Sequence, residues 1–432
     1  MGEPPGGPPD VAPPQIVWVR PESGSITPDL HGDFEIQYDE VIDEQPGTGA
    51  GGRTGGPVTG LASRVILSPV VGPVNVSWHR STIGVKPKEG WKPDRVYHLQ
   101  ILPGITDLRR NVQKQSRLIV FSTGPAIPSA TLSGMAVMWM EQHVLTNGVI
   151  RAARLPDSAA YLVLSDSLGR FRFEQIPPGR YLLTAIADQN NNRLRDPREA
   201  FDTATVTLDT AASTTLWAFV HDTTGPRLQS LDPVDSATFR MTFSMPLDPY
   251  RPIDSLKLRL LALPDSTPVP VAAVLTSAQY DSVTKREHAV TDSLRQDSLA
   301  RAAPKDTTHK ADTTKARVRV PPRDTSQHRP GLPGGVGPGA EAPGRGRPAS
   351  DSTTRLLLAQ RPVPQDKLVV RLAKGTLLQP EAKYFVEVAG AVNLNGAMAT
   401  SHNLLVIPKP KPPAPAPKDT SHAAVPRDST RP

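Results

Sequence analysis

Apolar and polar residues alternate with period two in one short segment after another of this chain, and Gly or Pro falls between the segments. That pattern admits little but β-structure. Its clearest stretch is 161–199, where Tyr161 and Val163, Phe171 and Phe173, and Tyr181 and Leu183 each share one side of an extended backbone. Breaks come at Gly169 and at Pro177-Pro178-Gly179. Successive strand residues point to opposite faces, so each segment buries one face, and the turn spacing predicts consecutive antiparallel strands.

The same reading places strands at 15–20, 33–38, 64–67, 74–78, 95–102 and 117–121, then at 132–140, 204–208 and 214–220 around the opening stretch. A third set falls at 227–231, 237–243, 255–263, 269–275, 367–372, 384–389 and 402–407. Helical periodicity is nearly absent. The expected fold class is all-β: three consecutive β-sandwich domains at 13–124, 128–221 and 222–279 with 366–407. Pro (48) and Gly (32) make up nearly a fifth of the 432 residues, concentrated in a leader (1–12), a Gly/Thr-rich loop (48–60), an insert and a tail (408–432). The insert, 280–365, repeats Asp-Ser and Asp-Thr pairs before a Gly/Pro-rich part. It has too few apolar side chains to offset its ordering entropy, so it is expected to lack fixed structure, with at most a transient helix around 282–302. Tails and insert are therefore expected to be disordered.

Composition excludes several classes. No cysteine is present, which removes disulfides, thiolate metal sites and cysteine nucleophiles. No run reaches the roughly 18 to 20 apolar residues of a membrane-spanning helix. The net charge is +7, but Lys and Arg are scattered among Asp residues, with no basic stripe interleaved with aromatics. A nucleic-acid partner is not expected. No charged segment followed by an apolar one opens the chain, so no signal peptide is visible. The leader is of the flexible kind that follows a cleaved signal. The expected location is the cell envelope or the extracellular space, with membrane contact only through a lipid anchor that this sequence does not contain.

The first and third domains repeat each other. Pro14-Gln15-Ile16, Pro21-Glu22-Ser23 and Phe34-Glu35-Ile36-Gln37-Tyr38-Asp39-Glu40 answer to Pro226-Arg227-Leu228, Pro233-Val234-Asp235-Ser236 and Phe239-Arg240-Met241-Thr242-Phe243-Ser244-Met245. Tyr97 with Asp107 and Asn111 answers to Tyr384 with Asn393 and Asn395. One face of each strand, Phe34/Ile36/Tyr38 and Phe239/Met241/Phe243, is expected to point inward. These blocks resemble the bacterial Ig-like domains of surface-layer and other envelope proteins, although the third copy carries Asn393 where that family favours Asp. The middle domain resembles the regulatory prealbumin-like sandwich appended to carboxypeptidases. It does so on Gly134, on Asp166-Ser167-Leu168-Gly169-Arg170-Phe171-Arg172-Phe173 read as a hairpin, and on Ile176-Pro177-Pro178-Gly179-Arg180-Tyr181. Gly169 and Gly179 suit positions of positive φ. The resemblance implies a non-catalytic, lipoprotein-like or secreted envelope protein.

One segment has metal-ligand spacing. Counting from Asp188, positions 1, 3, 5, 7, 9 and 12 are Asp188, Asn190, Asn192, the Leu194 carbonyl, Asp196 and Glu199, the order in which an EF-type loop presents oxygens to calcium. Arg193 stands where such a loop has Gly, and Arg195 and Arg198 add opposing charge. The competing reading is an Asx-rich turn bonded to its own backbone. Any calcium here would be structural.

Nothing comparable supports catalysis. Ser81, Ser133 and Ser165 lack a Gly-x-Ser-x-Gly setting, and none of the ten His lies in a His-Glu-x-x-His motif. His79 and His98 read as strand-face residues. Asp39/Glu40 and Asp43/Glu44 read as a surface turn closing a strand. The five Trp are scattered as core anchors would be. The expectation is a non-enzymatic structural or adhesive protein with an envelope or surface partner. The alternative is a glycan- or peptide-binding surface module, which an exposed Trp pair would favour.

Overall fold

The computed structural model describes residues 10–44, 56–157, 159–302 and 352–409. The chain divides into two compact units, Met1–Thr276 with Asp351–Pro432, and Ser277–Ser350. The first unit holds three β-sandwiches in sequence.

In the first sandwich, strands Ile16–Arg20, Phe34–Tyr38, Thr82–Pro87 and Val74–His79 lie side by side in that order, facing a sheet of Val65–Ser68, Val96–Ile101 and Arg117–Ser122. Phe34, Ile36 and Tyr38 are at most 1% exposed and pack with Ile83, Tyr97, Leu99 and Phe121. The third sandwich has the same order. Leu228–Asp235, Thr238–Leu247, Gln365–Leu372 and Val271–Thr276 face Lys257–Ala262, Lys383–Val392 and Met398–Val406, with the short Thr267–Pro268 at the edge. Phe239, Met241 and Phe243 are again at most 1% exposed. The repeat extends to single bonds. The Tyr97 hydroxyl accepts the Lys92 N–H at 2.8 Å, and the Tyr384 hydroxyl accepts the Gln379 N–H at 2.8 Å.

Strand Thr82–Pro87 escapes the sequence reading because Gly84 and Pro87 blur a six-residue pattern. Its counterpart explains the insert. In the first sandwich, Val74–His79 pairs with Thr82–Pro87 through a tight turn at Arg80-Ser81, with Arg80 at φ 55°. In the third, the corresponding strands Val271–Thr276 and Gln365–Leu372 also pair. The whole insert therefore replaces a two-residue turn. Lengthening a loop whose ends are already adjacent costs only about 3 kcal/mol, since going from two residues to this length takes between five and six doublings at about 0.6 each.

The expected structureless span of 280–365 is corrected at both ends. Ser277–Ala302 is a 26-residue helix. Its Ala, Gln, Arg, Lys and Glu residues are good helix formers, and no face is apolar: Val290 and Leu294 are 60% and 64% exposed. At the other end, Ser352–Leu358 is a short helix whose Leu357 and Leu358 pack against Trp139 and Trp217, and strand begins at Gln365. The rest of the insert, 303–351, lies outside the described residues, as do 1–9 of the leader, 45–55 of the Gly/Thr-rich loop and 410–432 of the tail. Gly60, read as the end of that loop, instead opens the helix Gly60–Ser63, which buries Leu61 and Ala62.

The second sandwich overturns the expected strand pairing. One sheet runs Ala160–Leu164, Val149–Arg154, Gly179–Ile186, Ala200–Leu208, and joins Ala211–Val220, Thr131–Met138 and Arg170–Phe173. Ala160–Leu164 pairs with Val149–Arg154, Arg170–Phe173 with Thr131–Met138, and Gly179–Ile186 with Val149–Arg154 and Ala200–Leu208. No two of the strands in 161–186 pair with each other. Residues 166–173 are thus not a hairpin. They carry the chain from one layer to the other through a turn in which the Asp166 carboxylate accepts the N–H groups of Leu168 and Arg170. Gly169 (φ 72°) is required there, because a Cβ would stand 2.6 Å from the Ala136 carbonyl. Alternation reports a buried face and not a partner: Tyr161, Phe171, Phe173, Tyr181 and Leu183 all enter one core. Ala211–Val220 runs parallel to Thr131–Met138.

Candidate functional site

The loop 188–199 leaves strand Gly179–Ile186 and re-enters at Ala200–Leu208, so both ends are fixed by one sheet. Its side chains turn inward. The Asp188 carboxylate accepts the N–H of Asn192 at 3.2 Å and of Arg193 at 2.8 Å. Asn190 Oδ1 accepts the Asn192 N–H at 3.1 Å, and Asn192 Oδ1 accepts the Leu194 N–H at 2.7 Å. The side-chain amides of Asn190 and Asn192 donate to the same Asp196 oxygen at 2.6 and 2.9 Å. The Glu199 carboxylate accepts the N–H groups of Gln189 and Asp196 at 2.9 and 3.0 Å.

Of the six residues singled out by spacing, Asp188, Asn190, Asn192 and Asp196 are thus brought together. Glu199 is engaged by backbone N–H groups, and Leu194 is 40% exposed with its N–H held by Asn192. The donor set fits calcium in part. Two carboxylates and two amides converge, but Asn190 and Asn192 present nitrogen to Asp196, and bidentate ligation by Glu199 would release two backbone bonds.

Arg193 has a different role from the one its position in the spacing suggests. It lies at φ 59°, in the left-handed region that favours Gly. Its guanidinium crosses to the first sandwich and donates to the Val65 and Ser63 carbonyls at 2.8 and 2.6 Å. Desolvation lowers it to about 10, with Asp188 opposing, so it stays charged at neutral pH. The loop is therefore a joint between sandwiches. More contacts complete the joint: Val58 N–H to the Asn191 carbonyl at 2.9 Å, Arg95 to Asp157 at 2.9 Å, and the Tyr161 hydroxyl to the Val96 carbonyl at 3.1 Å. His98, on strand Val96–Ile101, packs against Tyr161 with ring centroids 4.9 Å apart and the ring planes tilted by 55°. Burial holds this imidazole down at about 4, a backbone hydrogen bond with Gln175 opposing. Sequence reasoning missed this joint, because each of its members is ordinary until the two sandwiches meet.

A second feature lies at the entry to the first sandwich. Oxygens of Asp10, Glu40 and Asp107 gather within 4.8 Å of one another. Asp107 is 1% exposed and accepts the N–H groups of Arg109 and Asn111 and the Asn111 side-chain amide. Glu40 is raised above the usual carboxylate range by desolvation and then by Asp107, Asp10 and Asp39. In the third sandwich, Asn393 fills the Asp107 role and Met245 the Glu40 position. Asn393 accepts the N–H groups of Asn395 and Ala397 through Oδ1 and donates through Nδ2 to the Asp222 and Thr224 carbonyls. The departure from Asp thus supplies donors to the incoming linker. The Asp39 carboxylate accepts the Gln15 N–H at 2.8 Å, at the strand-closing turn.

At the other joint, Trp139 and Trp217 meet edge to face at 6.5 Å and are 5% and 4% exposed. The return segment of the insert covers them: Arg361 sits over both rings, and the Trp139 indole N–H donates to the Pro362 carbonyl at 3.2 Å.

A family profile described as bacterial Ig-like domain matches residues 10–123, the first sandwich. No curated protein matches the chain significantly. Among solved structures, the major pilin subunit of Bacillus cereus is 11% identical, with 48% of this chain and 71% of that one covered at a TM-score of 0.17. A putative carbohydrate binding protein from Bacteroides uniformis is 8% identical, covering 65% and 99% at 0.17. Domains 1–6 of the surface layer protein SbsC are 9% identical, covering 89% and 58% at 0.16. TM-scores of this size carry no argument about function.

Proposed function

We propose that the chain is a non-enzymatic modular scaffold of the bacterial cell surface or extracellular space, in which Ig-like sandwiches hold a surface partner at a fixed spacing. The observation that carries this reading is the joint at Arg193. A buried guanidinium bonded across two sandwiches fixes their relative orientation, which a spacer needs and a flexible string of domains lacks. The match of residues 10–123 to bacterial Ig-like domains supports the location. Fractionation of the producing cells, with protease shaving of intact cells, tests it. Recovery in the envelope or medium with loss on shaving is expected, and recovery in the cytosol would sink the reading.

Glycan stacking, the alternative, has less behind it. The Trp139–Trp217 pair is covered, and a sugar platform needs open aromatic faces.

Calcium remains a proposed structural ligand of the 188–199 loop, through Asp188, Asn190, Asn192 and Asp196. A ligand that binds only the folded form adds about 2.7 kcal/mol at a hundred times its dissociation constant. Melting of the full chain in chelator and in millimolar calcium checks this. An upward shift, lost in Asp196→Ala, is expected. Identical melting curves would leave the self-bonded turn as the whole account.

A further inference from the structure

Between the first and second sandwiches lies a cavity of about 320 Å³. Its walls are aliphatic, with Leu67, Val70, Val76 and Leu162 among them, and Leu194 and the 60% exposed Val71 also line it. Two arginines line it too. Arg193 is engaged with the Ser63 and Val65 carbonyls. Arg151 is not engaged.

Arg151 lies on strand Val149–Arg154 between Ile150 and Ala152, both 0% exposed and both in the core. Strand alternation therefore sends Arg151 to the opposite face, toward the first sandwich, flanked by Leu162 and Thr184 on the neighbouring strands. Among the described residues its guanidinium has no hydrogen bond or ion pair. No carboxylate lies close enough to affect it: burial alone holds it below the usual arginine range. A half-buried charge without a counter-charge is unfavourable, and such groups are normally paired.

We propose that this cavity binds the carboxylate end of a small apolar acid, the C-terminus of a peptide closing on a branched aliphatic residue, with Arg151 as the anion-binding group. The guanidinium fork matches a carboxylate in two parallel hydrogen bonds. The aliphatic walls complement a Leu- or Val-like side chain, and a bare inorganic anion would leave them unused. The volume sits near the lower end of the roughly 300 to 1,000 Å³ typical of ligand sites, so it holds one end group and excludes an oligosaccharide. The site goes beyond the scaffold reading and gives the joint a ligand of its own.

Isothermal titration of the full chain with N-acetyl-leucine, N-acetyl-leucinamide and sulfate tests this, alongside Arg151→Gln. Charge-assisted hydrogen bonds predict that the acid binds at least about tenfold more tightly than its amide, and that R151Q loses the acid by a similar factor. Because R151Q removes a desolvated charge, it should melt no lower than the wild type. Three results would overturn the proposal: no acid binding at millimolar concentration, equal binding of acid and amide, or sulfate binding as tightly as the acid. A lowered melting temperature for R151Q would also overturn it, by giving Arg151 a structural partner.

Discussion

Asp107 and Asn393 occupy one position in two copies of the same fold, and the difference between them isolates what charge does there. Both accept two backbone N–H groups, but only Asp107 faces Glu40 and Asp10. Asp107→Asn keeps the acceptor for the two backbone N–H groups and removes a like charge, but turns an amide N–H toward the Asn111 amide that Asp107 accepts. The two effects offset, so stability should change by less than about 1 kcal/mol at neutral pH. Asp107→Ala strips the partners from buried N–H groups and should cost about 2 kcal/mol or more. Chemical denaturation of both variants checks the sign and the gap between them. His98 gives a second residue-scale prediction. Its folded value is about 4 against an ordinary 6.5, so only the unfolded state takes up a proton as pH falls below 6.5. Stability from this group is therefore complete above pH 6.5 and lost between 6.5 and 4, by up to about 3 kcal/mol. His221 is also lowered, by partial burial first, and adds a slope of the same sign. Urea melts from pH 7.5 down to about 5 should show a shallower slope in His98→Phe than in the wild type.

At the scale of the element, the loop 188–199 shows how one segment serves two ends. Its Asx turns make a rigid exit from Gly179–Ile186, and that rigidity delivers Arg193 to the first sandwich. Arg193→Ala should cost about 2 to 3 kcal/mol, because it removes charge-assisted bonds and leaves the Ser63 and Val65 carbonyls without them. Arg193→Gly loses the same bonds but relieves a left-handed backbone, so it should recover roughly 1 kcal/mol of that loss. Equal stability of the two variants would mean that φ 59° carries no strain here. The spacing of oxygens in this loop was legible in the sequence, and so was the odd Arg at the sixth position. The target of that arginine was not, because Ser63 and Val65 lie far off in sequence and offer only carbonyls, which every residue has. Strand pairing in 161–186 failed for a related reason. Period two registers a buried face, and strands of both layers bury the same face against one core.

For the whole molecule, the insert is the sharpest case. A two-residue turn in the first sandwich and the span from Ser277 to Pro364 in the third connect equivalent strands. Replacing 280–350 with a short Gly/Ser linker should leave the third sandwich folded and change its stability by less than about 2 kcal/mol. Extending the deletion through 363 should cost clearly more, because Leu357, Leu358, Arg361 and Pro362 would no longer cover Trp139 and Trp217. Tryptophan emission checks it, with a red shift only in the longer deletion.

The sequence by itself determined the inward triads Phe34/Ile36/Tyr38 and Phe239/Met241/Phe243, the all-β class, the repeat of first and third sandwiches, and the turn glycine at 169. These are local properties: a face must be buried, and Gly takes a positive φ in a tight turn without strain. The tertiary structure alone decided which strand pairs with which, that Arg193 locks a joint, that Arg151 is left without a counter-charge in a cavity, and that the insert returns to roof a tryptophan pair. Each of those depends on which surfaces meet, and hydrophobic alternation carries no information about the partner across a core.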